Sequence, residues 1–335
     1  MEDPNVVMIG AGAMGGVIAG ALVQAGVRLS IIDADPTHVA AMTDPGLQVD
    51  NVGMAQPVPV TAMAASTECG WADLAVIMTP TYETANAALT ARQILKPEGV
   101  AVSLQNGLGN LEALTAELGV QRVFMGSTKC SADRPAPGRP RLTKLDPTTV
   151  GELDGKQSKR SRWLADALTR GGLQTIISDN IKGVLWTKFI HNCAINALSA
   201  ITGLRMGHVS RIKPLNDLRW RIVEECLEVA AAKGVTLADP DPIPTLKRHT
   251  WQKFTKPSML QHIDQVRLTE IDAINGFLVA EAERLDVDVP INEIVFAMAK
   301  GREMAVQFDR EDIDYAALTK TAEIEVAEGN TPWDD

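Results

Sequence analysis

The apolar residues in the first half of the chain come in short blocks separated by amphipathic stretches. Residues 5–10 (NVVMIG), 28–33 (RLSIID), 73–79 (DLAVIMT), 99–104 (GVAVSL) and 122–127 (RVFMGS) are such blocks. Apolar runs of this length, bounded by turn residues, read as buried strands. Between them, residues 13–25, 83–95 and 108–118 have helical spacing, and the first stops at Gly26, a residue that tolerates a left-handed cap. Strands alternating with helices predict an α/β fold, a parallel doubly wound sheet covered on both faces. Residues 148–153 and 173–178 add two strand candidates that bracket a helix. Residues 134–147, with four prolines and four cations, read as an exposed loop or hairpin tip whose charges are solvated. From about residue 180 the pattern is helical to the end, broken at Pro240, Pro242 and Pro244, and the acidic stretch after about residue 325 reads as a frayed tail. At 335 residues the chain is long for one core and comfortable for two, which predicts a sheet domain over 1–180 and an all-helical domain over 181–335.

The first block runs directly into Gly10, Gly12 and Gly15, spaced G-x-G-x-x-G, and a helix follows. Strand, glycine turn and helix in that order aim backbone N–H groups and a helix N-terminus at a pyrophosphate, the arrangement of a Rossmann-type dinucleotide site. The second strand ends in Asp33, whose carboxylate suits two ribose hydroxyls and repels a 2′-phosphate, favouring NAD over NADP. Asp33 could otherwise serve only as a helix cap, but Asp35 followed by Pro36 already supplies a good one.

A polar stripe interrupts the helical half. In residues 185–198 (LWTKFIHNCAINAL), Lys188, Asn192 and Asn196 stand four apart among Phe189, Ile190, Cys193, Ala194 and Ala197. Four-residue spacing stacks side chains on one helix face, and asparagines are poor helix formers. A surface face would usually carry Glu, Arg and Lys instead. An unpaired buried polar group costs roughly 1–3 kcal/mol, so this stripe predicts a polar ligand against it.

Composition narrows the class. Residues 6–27 contain no charge, but the preceding Glu2 and Asp3 are acidic and six glycines lie among these twenty-two positions, which opposes a signal sequence or a membrane span. We therefore expect a cytoplasmic protein with no membrane partner. Four cysteines without C-x-x-C or histidine spacing predict reduced thiols and no metal. A formal charge of −10 argues against nucleic acid as a partner. Further polar candidates are Asn106, in Gln105-Asn106-Gly107 after a central strand, and Ser258 and Glu270, in PSMLQHIDQVRLTEIDAINGF. Taken alone, Asn106 reads as a turn residue, Ser258 as a helix start, and Glu270 as a surface partner of Arg267. In the same segment Met259, Ile263, Val266 and Ile274 make an apolar stripe.

The glycine turn, the QNG, the LWTKFIHNCAIN helix, the PSMLQ and the TEIDAINGF, in this order, resemble the ketopantoate reductase family over residues 6–299. The resemblance implies a Rossmann domain, a helical C-terminal domain, and a cleft in which a nicotinamide passes hydride to a 2-oxo acid, ketopantoate by default, as in pantothenate biosynthesis. It implies Lys188 as the catalytic lysine and general acid, and Asn106, Asn192 and Asn196 as substrate amides. Ser258 becomes the carboxylate-binding hydroxyl and Glu270 the acid near the lysine and the nicotinamide ribose. Cofactor contacts fall to Gly10, Gly12, Ala13, Met14, Gly15, Asp33, Thr79, Pro80, Asn106 and Glu270. Helical second domains of this kind often pair as homodimers.

Three positions depart from the family pattern. Asp33 replaces a basic residue of NADP-dependent members, Thr79-Pro80-Thr81 lacks their lysine, and Met206 stands where they carry a substrate-contacting asparagine. The first two make NAD the preferred cofactor and NADP the alternative; the third puts ketopantoate itself in question. An NAD-dependent catabolic dehydrogenase of another (R)-2-hydroxy acid is a second reading, and a non-catalytic NAD-binding sensor a third. A sensor would have no need of Lys188, Asn192, Ser258 and Glu270.

Overall fold

The computed structural model describes residues 3–308 and 313–328. The chain runs β1 (Val6–Ile9), α1 (Ala13–Gln24), β2 (Leu29–Ile32), α2 (Pro36–Ala41), β3 (Thr61–Met63), β4 (Ala72–Ile77), α3 (Thr84–Ile94), β5 (Leu95–Ser103), α4 (Asn110–Leu118) and β6 (Val123–Thr128). It continues through β7 (Ser131–Ala136), β8 (Arg139–Lys144), β9 (Thr148–Gly151), α5 (Lys159–Arg170) and β10 (Thr175–Ile177). The rest is helical: α6 (Ile181–Thr202), α7 (Met206–Val209), α8 (Lys213–Ala232), α9 (Pro242–Gln252), α10 (Ser258–Asp264), α11 (Asn275–Leu285), α12 (Pro290–Phe308) and α13 (Tyr315–Glu328).

The main sheet has eight strands in the order β10-β9-β6-β5-β4-β1-β2-β3. From β1 the chain steps outward to β2 and β3, then returns to β4 on the other side of β1. The carboxyl ends of β1 and β4 therefore flank the point where strand order reverses, where such sheets bind ligands. Alternate residues of β1 serve opposite faces: Val6 and Met8 join the core under α1 and α5, Val7 and Ile9 the core under α3 and α4. A separate apolar core fills the helical half. Helix α6 belongs to both halves, since Ile181 and Leu185 pack into a sheet-side core while the helix from Trp186 onward packs into the helical one.

Three sequence expectations change. The sheet is parallel from β3 to β6, but β9 pairs antiparallel with β6 and carries β10 with it. The short edge strand β3 had no sequence signal. Residues 134–147 do fall in a hairpin, β7 and β8, with Arg139 and Arg141 exposed, but its Pro140 and Leu142 are buried. Pro140 sits so close to Gly16 of α1 that a Cβ there would approach to 2.6 Å. Its cations are paired, Arg134 with Asp35, Arg139 with Asp50, Arg141 with Asp133 and Lys144 with Asp146. Prolines 240, 242 and 244 lie between α8 and α9 or in the first turn of α9, as the pattern predicted. The expected frayed tail lies outside the described residues from 329 onward, whereas 325–328 complete α13, a helix with no buried side chain. Among the described residues no helix is long and apolar enough to cross a membrane.

Candidate active site

At the glycine turn each position has its own reason. Gly10 has φ +86°, and a Cβ on it would meet the backbone nitrogen of Thr79 at 2.7 Å. On Gly15 a Cβ would fall 2.2 Å from the Gly10 carbonyl oxygen, so this glycine lets α1 pack against the strand end. Gly12, the N-cap of α1, faces open space. Two glycines thus close the turn and one keeps clear the approach to a helix N-terminus, the cradle a pyrophosphate requires. Asp33 does not cap α2. Its carboxylate accepts the Ala11 N–H at 2.7 Å and the Asp35 N–H at 3.0 Å, while Asp35 caps α2 through the N–H groups of Thr37 and His38.

One residue here gave no sequence signal. His38 is fully buried; its Nδ1 accepts the Gly138 N–H at 2.8 Å, so Nε2 carries the proton and donates to the Ala11 carbonyl at 2.8 Å. The ring ties the glycine turn to the β7–β8 hairpin, a contact across a hundred residues of sequence.

The second half of the site forms where the strand ends meet α6. After β4 come Thr79, Pro80 and Thr81; after β5 come Gln105 and Asn106. The Gln105 amide donates to the Thr79 carbonyl at 2.9 Å and to the Thr84 hydroxyl at 2.9 Å, fixing one strand end against the other. Asn106 is more than a turn residue, because its Oδ1 accepts from Lys188 Nζ at 2.8 Å and its Nδ2 donates to Glu270 at 3.4 Å. Glu270 is buried at 8 % exposure and also accepts the Thr81 N–H at 3.3 Å; it makes no ion pair with Arg267. The Leu108 N–H donates to the Ala273 carbonyl at 3.0 Å, which holds the segment after Glu270 onto the loop after β5.

Lys188 thus stands at the end of a chain of polar contacts running through Asn106 to Glu270. Its ammonium also donates to the Thr128 carbonyl at 2.8 Å, so two of its three N–H donors are used and one is left for a ligand. Burial is the main influence on its pKa and, with the Lys129 ammonium, pulls it down; Glu270 and Cys130 oppose the shift, and the result is about 8. Asn192 is half-buried and Asn196 is 5 % exposed, and neither side chain finds a hydrogen-bonding partner among the described residues. Ser258 opens α10, which packs on α6, and its hydroxyl is likewise unpaired. The apolar stripe around it is interrupted: Met259 and Ile263 lie on α10, Ile274 belongs to the next turn, and Val266 between them has φ +50°. The aromatic rings of Trp186 and Phe189 meet edge to face at 5.3 Å, and Phe189 meets Phe277 of α11 at 5.9 Å, fixing the rotation of α6.

The structure therefore joins Lys188, Asn106 and Glu270 directly, and groups Gly10, Gly12, Gly15, Asp33 and Thr79 around the β1–α1 turn, with Ala13 and Met14 in its helical first turn. Gln105, Thr84, the Thr128 carbonyl and His38 are the positioning groups that sequence reasoning missed. Gln105 beside Asn106 was the one legible hint. Met206, the first residue of α7, is 7 % exposed and belongs to the helical core.

A family model described as ketopantoate reductase PanE/ApbA matches residues 6–155, and one for the C-terminal part of the same family matches residues 180–303. The chain belongs to the ketopantoate reductase family. It is 29% identical over 300 residues to the 2-dehydropantoate 2-reductase of Pyrococcus abyssi, covering 89% of this chain and 98% of the relative. The corresponding enzyme of Mesorhizobium japonicum is 29% identical over 327 residues, covering 90% of this chain and 98% of the relative. Among solved structures, a PanE/ApbA family ketopantoate reductase from Ralstonia eutropha superposes with a TM-score of 0.83 at 30% identity, covering 90% of this chain and 99% of that one. A D-mandelate dehydrogenase in complex with NADH and anilino(oxo)acetate shares the fold, with a TM-score of 0.81 at 24% identity, covering 90% of this chain and 99% of that one.

Proposed function

We propose that this protein is a nicotinamide-dependent oxidoreductase that interconverts a 2-oxo acid and the corresponding (R)-2-hydroxy acid, with NAD(H) preferred and ketopantoate as the default substrate. The observation that carries the reading is the Lys188 ammonium, half-buried, held by Asn106 and the Thr128 carbonyl, with one donor left over. The open space at Gly12 beside the start of α1 and the carboxylate of Asp33 at the end of β2 fit a dinucleotide without a 2′-phosphate. When bound, the cofactor supplies or accepts the hydride. Lys188 hydrogen-bonds the substrate carbonyl oxygen, stabilises the negative charge that grows there and delivers the proton. Asn192 and Asn196 orient the substrate without adding charge, Ser258 takes its carboxylate, and Glu270 holds Asn106 and sustains the charged form of Lys188.

Met206 favours a second reading. By the resemblance, a thioether stands where family members carry a substrate-contacting asparagine, so a hydrogen-bonding amide is missing, and the Met206 side chain packs in the helical core. That suits a dehydrogenase of a branched or aromatic 2-hydroxy acid, and a D-mandelate dehydrogenase, solved with the aromatic 2-oxo compound anilino(oxo)acetate, shares the fold. The two readings separate in a panel of 2-oxo and 2-hydroxy acids assayed with both cofactors. If ketopantoate's hydroxyl is no longer read, 2-oxoisovalerate is reduced within about a hundredfold of ketopantoate; a kcat/KM ratio above roughly 10⁴ in favour of ketopantoate restores pantoate synthesis as the role. Absence of turnover with every acid in the panel would leave the sensor reading instead.

A further inference from the structure

Outside the cleft, helices α8 and α9 border an open groove of about 420 Å³ lined by Ser210, Arg219, Trp220, Lys247, Arg248 and Trp251, among others, and among the described residues no acid lines it. It shares no residue with the chain from Lys188 to Glu270. Arg219, in its wall, is only 3 % exposed. Its Nη atoms donate to neutral groups only: the hydroxyls of Ser210 and Thr250 and the Asn216 amide oxygen at 2.7 Å. Its Nε has no acceptor, and no carboxylate among the described residues lies within ion-pair reach.

Arg160, by contrast, has Glu152 beside it at 2.6 Å, and Lys233 has Glu281 at 2.5 Å. A buried guanidinium without a counterion is costly, because neutral hydrogen bonds replace only part of its hydration. Burial pulls the Arg219 pKa down to about 10. The groove also presents aromatic surface. Trp251 is 53 % exposed, Arg211 lies 4.1 Å from its ring centroid, and Arg219 lies 4.2 Å from that of Trp220. The groove thus places an exposed aromatic face beside several cations.

We propose that this groove is a second ligand site, for a planar organic anion whose ring stacks on Trp251 and whose carboxylate or phosphate supplies the counterion that Arg219, Lys247 and Arg248 lack. Calorimetric titration of the full chain with benzoate and with phenyl phosphate tests it, and the stronger of the two probes identifies the head group. At least one probe should bind saturably with a submillimolar Kd. Trp251→Ala and Lys247→Glu, both at exposed positions, should each weaken that binding about tenfold or more, while Lys188→Ala leaves it within about twofold. Because the readout is binding, the result does not depend on the reaction proposed above. The probe should also raise the Tm of the wild-type chain and leave that of Arg219→Met unchanged. No saturable binding of either probe overturns the proposal. So does binding that Lys188→Ala abolishes and Trp251→Ala spares, since the probe then occupies the cleft.

Discussion

The two halves of the candidate active site are built in opposite ways. Apart from the Asp33 carboxylate, the cofactor half is backbone: Gly10 and Gly15 work by having no Cβ, Gly12 by leaving space, and all three lie within six residues. The catalytic half consists of side chains brought together across the chain, Lys188 reaching Asn106 over 82 residues and Asn106 reaching Glu270 over 164. A backbone cradle is fixed once β1 and α1 pack, so changes there should act on cofactor affinity and selectivity. The lysine site needs both cores and the join between them, so changes there should act on rate and proton transfer.

The largest test of that division is Lys188→Ala. Removing a positioned acid should lower kcat by roughly 10² to 10⁴, while the Kd for NADH stays within about twofold, because the lysine contacts no part of the glycine turn. A kcat within about threefold of wild type would remove Lys188 from the mechanism; an equally large loss of NADH affinity would mean the two halves are not separable.

The next effect in size belongs to the cofactor half. Asp33, anchored by the Ala11 and Asp35 N–H groups, would face a 2′-phosphate with like charge, so NADH should exceed NADPH by more than about tenfold in kcat/KM, or roughly 1.4 kcal/mol. Asp33→Arg should narrow the gap without changing kcat with NADH by more than about threefold. Arg134, on β7, is engaged by Asp35 at 3.1 Å. Steady-state kinetics with equal efficiency for both cofactors would show that Asp33 does not read the ribose.

The same contrast explains what the sequence revealed. The strands of the sheet, the glycine turn and the stripe of Lys188, Asn192 and Asn196 were legible because their causes are local: apolar runs, a residue without Cβ, and four-residue spacing. Asn106 and Glu270 looked ordinary alone and gained meaning only through motif resemblance, since nothing near either residue in sequence signals the other. His38 gave no signal because its partners, Ala11 and Gly138, lie far along the chain on both sides. The packing of the β7–β8 hairpin on α1 escaped because the glycine that admits it, Gly16, is hidden in the run that defines α1. The reversal of β9 escaped because strand direction depends on where the chain crosses, which apolar periodicity does not record.

The smallest effect is also the most specific, since it asks whether distant residues set the working pKa of Lys188. In the proposed mechanism protonated Lys188 is the acid, so with a pKa near 8 the rate of 2-oxo acid reduction should be flat below that value and fall as pH rises through it. Oxidation of the hydroxy acid, which needs the neutral amine, should rise through the same range. Glu270 holds the pKa up, so Glu270→Gln should move the descending limb to lower pH. Lys129, exposed and of like charge, holds it down, so Lys129→Gln should move the limb to higher pH. Each displacement should amount to a few tenths of a unit up to about one unit, or at most roughly 1.4 kcal/mol. Opposite shifts from two substitutions, neither of them on α6, can be explained only by charge acting on the lysine. Shifts of the same sign, or a limb that survives Lys188→Ala unchanged, would assign the titration to another group.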